Sequence, residues 1–282
     1  MLRFLYILLV FIFSACSLEE IKPSQNKQLI IAQNFMSKNQ QAILQKMAKR
    51  KQIQLTIKKW SALQIRKQIQ QKPWDPGFDL IMLDGILEQA VIERLQFQYK
   101  EPQFGIIPLG VSYVPDSVVK VKHFKDLSTK YLWAPADDKV KAILKLHLAY
   151  AYRKGDADKK VNLAYLDLLH RFKDHELLFD TYQLQNTLLL CRLDTHLHYL
   201  KKEVKRRQFT YALQAPNAYY ADYMGLYIIE QCSSYSLAKQ FVQYLHYQQD
   251  HQAAFRNAFG CIKKSKKQKH TPIKELLKYR DK

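Results

Sequence analysis

Two histidines with one residue between them, His196 and His198, lie in the stretch Asp194-Thr195-His196-Leu197-His198-Tyr199. On a strand, a His-x-His pair presents both imidazoles to one face and can share a metal ion. On a helix, residues two apart do not face each other, and the same residues become hydrated groups on a charged surface. Both readings stay open from the sequence. Carboxylates such as Asp84 and Asp126 are isolated, so no acid/base pair can be assigned from spacing. The chain holds no Gly-x-Ser-x-Gly elbow, no His-Glu-x-x-His and no Cys/His signature, which leaves hydrolytic catalysis without support. Tight phosphate-cradling loops need glycine. The chain has only seven glycines and neither GxGxxG nor GxxxxGK[ST], which disfavours nucleotide chemistry.

A different kind of chemistry is suggested at Cys16. The chain begins Met1-Leu2-Arg3, continues as an apolar run from Phe4 to Phe13, and reaches Ser14-Ala15-Cys16. A basic start, a short apolar run and small residues are the layout of a secretory signal. The run is about half of the roughly 20 residues a membrane-spanning helix needs. Phe13-Ser14-Ala15-Cys16 resembles a bacterial lipobox, which is cut before a cysteine whose thiol then carries diacylglycerol. The expectation is a signal peptide over 1–15 and a lipid-anchored linker over 16–27, polar and containing Pro23. An ordinary signal peptide with an incidental cysteine, or a short uncleaved anchor, fits the same layout. Ser17 after the cysteine leaves inner and outer membrane open. The implied localisation is the cell envelope, lipid-anchored and periplasm-facing. Beyond Cys16 lie Cys191, Cys232 and Cys261, with no CxxC among them. A structural metal site is therefore not suggested. One disulfide is permitted, Cys232–Cys261 being the nearest pair in sequence.

The elements that must position such groups follow from hydrophobic patterning. Gln28 to Gln33 reads as a buried strand, and Ser37 caps a helix to about residue 50. Ile53, Leu55 and Ile57 alternate as a strand, and 61–71 returns to helix. Phe78 to Leu83 is a third strand, and 86–95 a third helix. The order βαβαβα implies parallel strands with covering helices. Phe104 to Val114 reads as strands with a crossing point, 123–127 as a short helix and Tyr131 to Pro135 as a strand. Helices are expected over 138–153, 159–172, 181–192 and 195–207, then strands over 209–213 and 224–229. Ala238, Phe241, Val242 and Leu245 form a helical stripe at i, i+3, i+4, i+7. A helix over 250–259 follows, and 263–282 is a basic tail with a possible last helix.

Length and aromatic content suffice for one large or two medium lobes with proper cores. The formal net charge is +20. Such a balance attracts nucleic acid or an anionic membrane surface, or it is simply a lysine-rich solvated surface. No helix-turn-helix, zinc-finger or RNA-recognition spacing occurs, so nucleic acid is the least supported of these partners.

The order of elements resembles the extracellular solute-binding proteins of ABC importers, in the iron(III)/spermidine/thiamine-type branch. The likeness rests on the opening Leu29 to Ile57 and on Phe78-Asp79-Leu80-Ile81-Met82-Leu83-Asp84. It rests also on Pro108 to Pro115 with Phe124-Lys125-Asp126-Leu127 and Trp133-Ala134-Pro135, and on Gly225 to Ile229 with Ala238 to Leu245 and Gln252 to Phe259. The resemblance implies an α/β fold of two Rossmann-like lobes with a hinge, of the periplasmic-binding-protein type II. Lobe 1 would take residues 28–110 and 223–262, and lobe 2 residues 111–222, with crossings near 110 and 220. It further implies an ABC permease as partner, no cofactor and no catalysis. The ligand would be a small solute, ferric iron or another cationic species included. Strand ends and helix starts in such a fold nominate Asn34, Asp84, Tyr113, Asp137 and the residues near 219–223. Asp137 and Asp138 are either a capping pair or a pointer to a cationic ligand. Iron-binding relatives use adjacent tyrosines. Tyr219-Tyr220 falls later in this chain than that pair, and His198-Tyr199 lies nearer the expected place. The alternative is an envelope lipoprotein that keeps the fold, has lost its ligand and serves as a scaffold.

Overall fold

The computed structural model describes residues 27–93, 103–115, 127, 133–153, 188–203, 207–210, 213, 220–262 and 276. The signal and lipobox, Tyr219, the helix expected over 159–172 and nearly all of the basic tail lie outside the described residues. So does the helix expected over 123–127, save Leu127.

Strands β1 (Gln28–Gln33), β2 (Gln54–Lys59) and β3 (Leu80–Asp84) alternate with helices α1 (Lys38–Arg50), α2 (Ala62–Gln71) and α3 (Ile86–Glu93). The local signals are plain. Ser37 and Ser61 each close a capping box with a glutamine three residues on, satisfying backbone donors that the first turn leaves open. β1 pairs in parallel with β2 on one side and β3 on the other. The sheet also holds β4 (Gln103–Tyr113), β5 (Trp133–Pro135), β6 (Leu188–Arg192), β7 (Gln208–Thr210) and β8 (Ala221–Ile228), in the order β2-β1-β3-β8-β4-β6-β5 with β7 also on β4, so β2 forms an edge.

One long strand joins the halves of this sheet, and β8 returns the chain to the first half. The joining strand, β4, pairs with β8 over its first half. Its second half pairs with β6 and with β7. β8 runs antiparallel to β3, Asp84 opposite Met224. β5 lies parallel to β6. The crossing point expected near 110 is thus one continuous strand that changes partners between Pro108 and Leu109.

The core follows these halves. α1 packs with α6 (Tyr235–His251) and α7 (Ala253–Phe259) on one face of the first half, around Leu29, Ile31, Leu80, Phe104, Phe241 and Phe259. α2 and α3 cover the other face, around Ala32, Ile65, Ile81 and Tyr227. In the second half, α4 (Asp138–Arg153) supplies Val140, Ile143, Leu144 and Leu148 against Leu109, Val111 and Leu190. Each such side chain, fully buried, contributes about 1.5–3 kcal/mol.

One element differs from the sequence expectation. Residues 188–192 are read from the sequence as the end of a helix over 181–192, but they form β6, buried along its whole length. A short continuous apolar run has no period to separate a buried strand from a buried helix. After β6 the chain turns through Leu193–Thr195, His196–Leu200 and Lys201–Glu203, a helical run (α5) whose middle turn is a wider π turn. Cys191, Cys232 and Cys261 are all free thiols, so the permitted disulfide is not formed.

Candidate functional site

The two halves meet at a cluster of charges around the strand crossings. β3 ends at Asp84, and β1 ends one residue before Asn34, whose Oδ1 accepts the Asp84 amide at 3.2 Å. Gly85 then turns with φ +98°, a region that side chains rarely enter. A Cβ there would lie 2.6 Å from Lys139 Cε and 3.0 Å from Asp222 Oδ2. Glycine at this position lets groups from three elements close on one another.

Arg192, the last residue of β6, stands at the centre. Its Nη2 donates to Asp84 Oδ1 at 2.6 Å, and its Nη1 to Asp222 Oδ2 at 2.6 Å. Nε donates to Asp194 Oδ1 at 2.9 Å, and Nη2 also bonds Asp194 Oδ2. Lys139, in the first turn of α4, donates to Asp84 Oδ2 at 2.7 Å and to the Asp84 carbonyl at 2.9 Å. Asp222 Oδ1 accepts the amides of Ile86, at the start of α3, and of Tyr223. The side chains of Arg192 and Asp222 are 4% and 0% exposed, that of Lys139 31%.

The electrostatics follow from this geometry. Burial alone would raise the Asp84 pKa, but the Arg192 and Lys139 charges outweigh it and hold the carboxyl below its ordinary value. Burial of Asp222 wins over the same two cations and pushes its pKa up. Burial works against the charge on Arg192, yet Asp194, Asp84 and Asp222 together raise its pKa further. Three carboxylates face two cations, an acid-rich point in a strongly basic chain.

The halves also touch beside this cluster. Gly260 ends α7 in the left-handed region with φ +65°. A Cβ on it would lie 2.7 Å from Asp194 Cα and 2.8 Å from Asp194 N. The His198 ring nitrogen Nε2 is 3.2 Å from the Ala258 carbonyl, to which its N–H donates.

The remaining nominated residues are scattered. Asp137 Oδ1 accepts the Val140 amide at 2.7 Å and so caps α4, while Asp137 and Asp138 are both exposed. Tyr113 ends β4 far from Asp84 and donates to Gln208 Oε1. Tyr220 is buried edge-to-face against His147, with ring centroids 5.3 Å apart. Tyr199 is 68% exposed. His196 turns inward and accepts from the Ser112 hydroxyl at 3.0 Å, away from His198. The two histidines therefore do not share a metal, and no cluster of metal-ligating side chains occurs among the described residues. The Ser112–His196 pair is buried on both sides, so it has no route to a substrate.

Sequence reasoning reached Asn34 and Asp84 and bracketed Asp222 within 219–223. It missed Arg192 and Lys139. A charge closing the apolar run Leu188-Leu189-Leu190-Cys191 was the available signal, as was the single carboxylate inside Tyr220 to Ile229.

A sheet of two halves, joined by one strand that runs through both and covered by helices, defines the two-lobed α/β fold of the periplasmic-binding-protein type II. Solved structures agree. A Trichodesmium FutA in complex with iron and citrate is 11% identical, covers 90% of this chain and 96% of its own, and has a TM-score of 0.63. The Bordetella ferric binding protein is 12% identical, with coverage of 90% and 96% and a TM-score of 0.64. The substrate-binding domain of a putative molybdenum ABC transporter from Clostridium difficile is 14% identical, with coverage of 82% and 95% and a TM-score of 0.50. No family model matches the chain, and no curated protein matches it.

Proposed function

We propose that this chain is a lipid-anchored solute-binding protein of the cell envelope, tethered through Cys16, that captures a small cationic solute and hands it to an ABC permease. Its lobes are 28–110 with 223–262, and 111–222, and the solute enters between them. The observation that carries the reading is the acid-rich cluster at the strand crossings, to which both lobes contribute. Asp84 comes from one lobe, Asp194 and Lys139 from the other, and Asp222 from the returning strand. The Lys139 ammonium is the most exposed cation of the cluster, and a cationic solute would take its place on Asp84. Hinge closure then follows from contacts to both lobes.

The test is a thermal-shift and calorimetric titration of the full chain with spermidine, thiamine and ferric citrate. Stabilisation by a cation that Asp84→Asn weakens at least tenfold is the expected result. Labelling with radioactive palmitate, lost in Cys16→Ser, tests the tether.

A second reading has its own observation. Arg192 spends its Nε, Nη1 and Nη2 donors on the protein's own carboxylates, so the lobes are bridged without a solute. In that reading the fold serves as a scaffold. It is the favoured one if no cation shifts the melting temperature and no permease subunit co-purifies.

A further inference from the structure

The charge of this protein is unevenly placed. Between Lys27 and Lys72 there are eleven lysines and arginines and no aspartate or glutamate. That stretch of 46 residues carries eleven of the net twenty positive charges. It folds as α1, β2 and α2 with β1, that is, as the outer edge of lobe 1, with β2 the edge strand of the sheet. Nine of the eleven basic residues are exposed. The helix α1 places Lys46, Lys49 and Arg50 outward while Leu44, Met47 and Ala48 pack inside.

The topology sets this edge relative to the site. The C-terminal ends of β1 and β3 carry Asn34 and Asp84. Lys27 lies at the opposite end, its carbonyl accepting the Gln54 amide at the start of β2. The C-terminus of α1, with Lys49 to Lys51, also lies there, because it leads into β2. So does the C-terminal end of α2 with Lys72, because it leads into β3. Trp74 follows and is 73% exposed, the residue type that prefers a membrane–water boundary. Among the described residues, the acidic groups at this end are Asp75, Asp79 and Glu230. Asp75 is turned onto the Gly77 amide and Asp79 onto the Ile30 amide. Lys27, at this same end, stands eleven residues after Cys16, a reach of up to about 35 Å for an extended chain of that length.

We infer that the basic outer edge of lobe 1 is a docking surface for an anionic lipid bilayer, which holds the protein with its cleft facing away from the membrane that anchors it. This rests on the tether reading, since the tether is what selects lipid over nucleic acid as the anionic partner. Each lysine or arginine near an anionic surface strengthens partitioning about fivefold, and the effect fades within a Debye length.

The experiment is lysine footprinting with a water-soluble amine reagent and mass spectrometry. The full chain is bound to vesicles of phosphatidylcholine alone or with 30% phosphatidylglycerol (~30% being a common anionic fraction). On anionic vesicles, labelling of Lys46, Lys49 and Lys51 should fall severalfold, while the exposed Lys201 and Lys202 of lobe 2 should not change. The triple variant Lys46→Gln/Lys49→Gln/Lys51→Gln should restore labelling of Lys27 and Lys67 and weaken the docking on the order of 100-fold. Equal labelling on both vesicles, or equal protection of lobe 2, overturns the proposal. Equal protection by duplex DNA at the same phosphate concentration overturns the choice of lipid. Vesicle flotation in 0.5 M salt (roughly the regime where the Debye length drops below 5 Å) reports the anchor separately from the docked edge.

Discussion

Two buried polar clusters in this protein look alike in composition and differ in what they join. One is the Arg192–Asp84–Asp222–Asp194–Lys139 group at the strand crossings. The other is Arg207–Ser112–His196 inside lobe 2, where Arg207 Nη1 donates to the Ser112 carbonyl at 3.0 Å and to its hydroxyl at 3.1 Å, and that hydroxyl donates to His196 Nδ1. The first takes groups from both lobes and carries an excess of carboxylate. The second stays within β4 and the segment 196–207, and its histidine is neutral. Burial, aided by Lys201 and Arg207, pushes the His196 pKa down to about 4. A polar cluster inside one lobe fixes that lobe's geometry. A cluster spanning two lobes ties their relative position to charge, and so to anything that carries charge into the cleft.

The largest expected effect comes from removing the centre of the first cluster. Arg192→Ala leaves three carboxylates without their shared partner, two of them largely buried. It should destabilise the protein by about 3–5 kcal/mol in urea unfolding. Arg192→Lys should recover only part of this, because an ammonium cannot fork to three carboxylates. A loss as small as that of an exposed ion pair would erase the distinction between the clusters.

The next effect is in pH. His147, buried with Nε2 donating to the Ala221 carbonyl at 2.7 Å, has its pKa pushed by burial down to about 4 from 6.5. Like His196, it binds its proton less readily when folded than unfolded. Stability from both is complete above pH 6.5 and is lost as pH falls toward 4, by up to about 3 kcal/mol for His147. Asp222 acts in the opposite sense, since its raised pKa favours the protonated folded form at low pH. Melting temperatures across pH 4–7 in His147→Gln and in the parent check this: the slope should flatten in the variant.

Ser112→Ala should cost about 1–2 kcal/mol, as it removes one buried bridge between Arg207 and His196, and it should leave cation binding unchanged. Lys139→Gln is the smallest change in stability, under about 1 kcal/mol for a partly exposed pair. Calorimetry should nonetheless show tighter cation binding, because Asp84 loses a competing ammonium. If Ser112→Ala weakened binding as much as Asp84→Asn does, the two clusters would not be functionally separate.

Much of the first lobe was legible in the sequence. The alternation around Ile53 to Ile57, the Ser37 cap and the stop at Asp84-Gly85 are local signals, and the elements follow them. β6 was not legible, because Leu188 to Cys191 has no period. The start of β8 was obscured for a related reason. Ala221-Asp222 reads as a polar break, yet Asp222 is buried because Arg192 and the Ile86 amide satisfy it. Asn34 and Asp84 could be found as strand ends. Arg192 could not be linked to Asp84, since 108 residues separate them and only the crossing of β4 brings β6 beside β3's end.

Gly260 carries a separate consequence. Its bare Cα faces the Asp194 backbone, so the lobes there fit like two flat palms with nothing between them. A branched side chain at 260 would act as a wedge against Asp194, prising the lobes apart and stretching the Arg192 ion pairs that span them while removing no charged group. Small-angle scattering of Gly260→Val would then report the splayed form, and set beside Arg192→Ala it would show how far shape alone can part lobes that charge draws together.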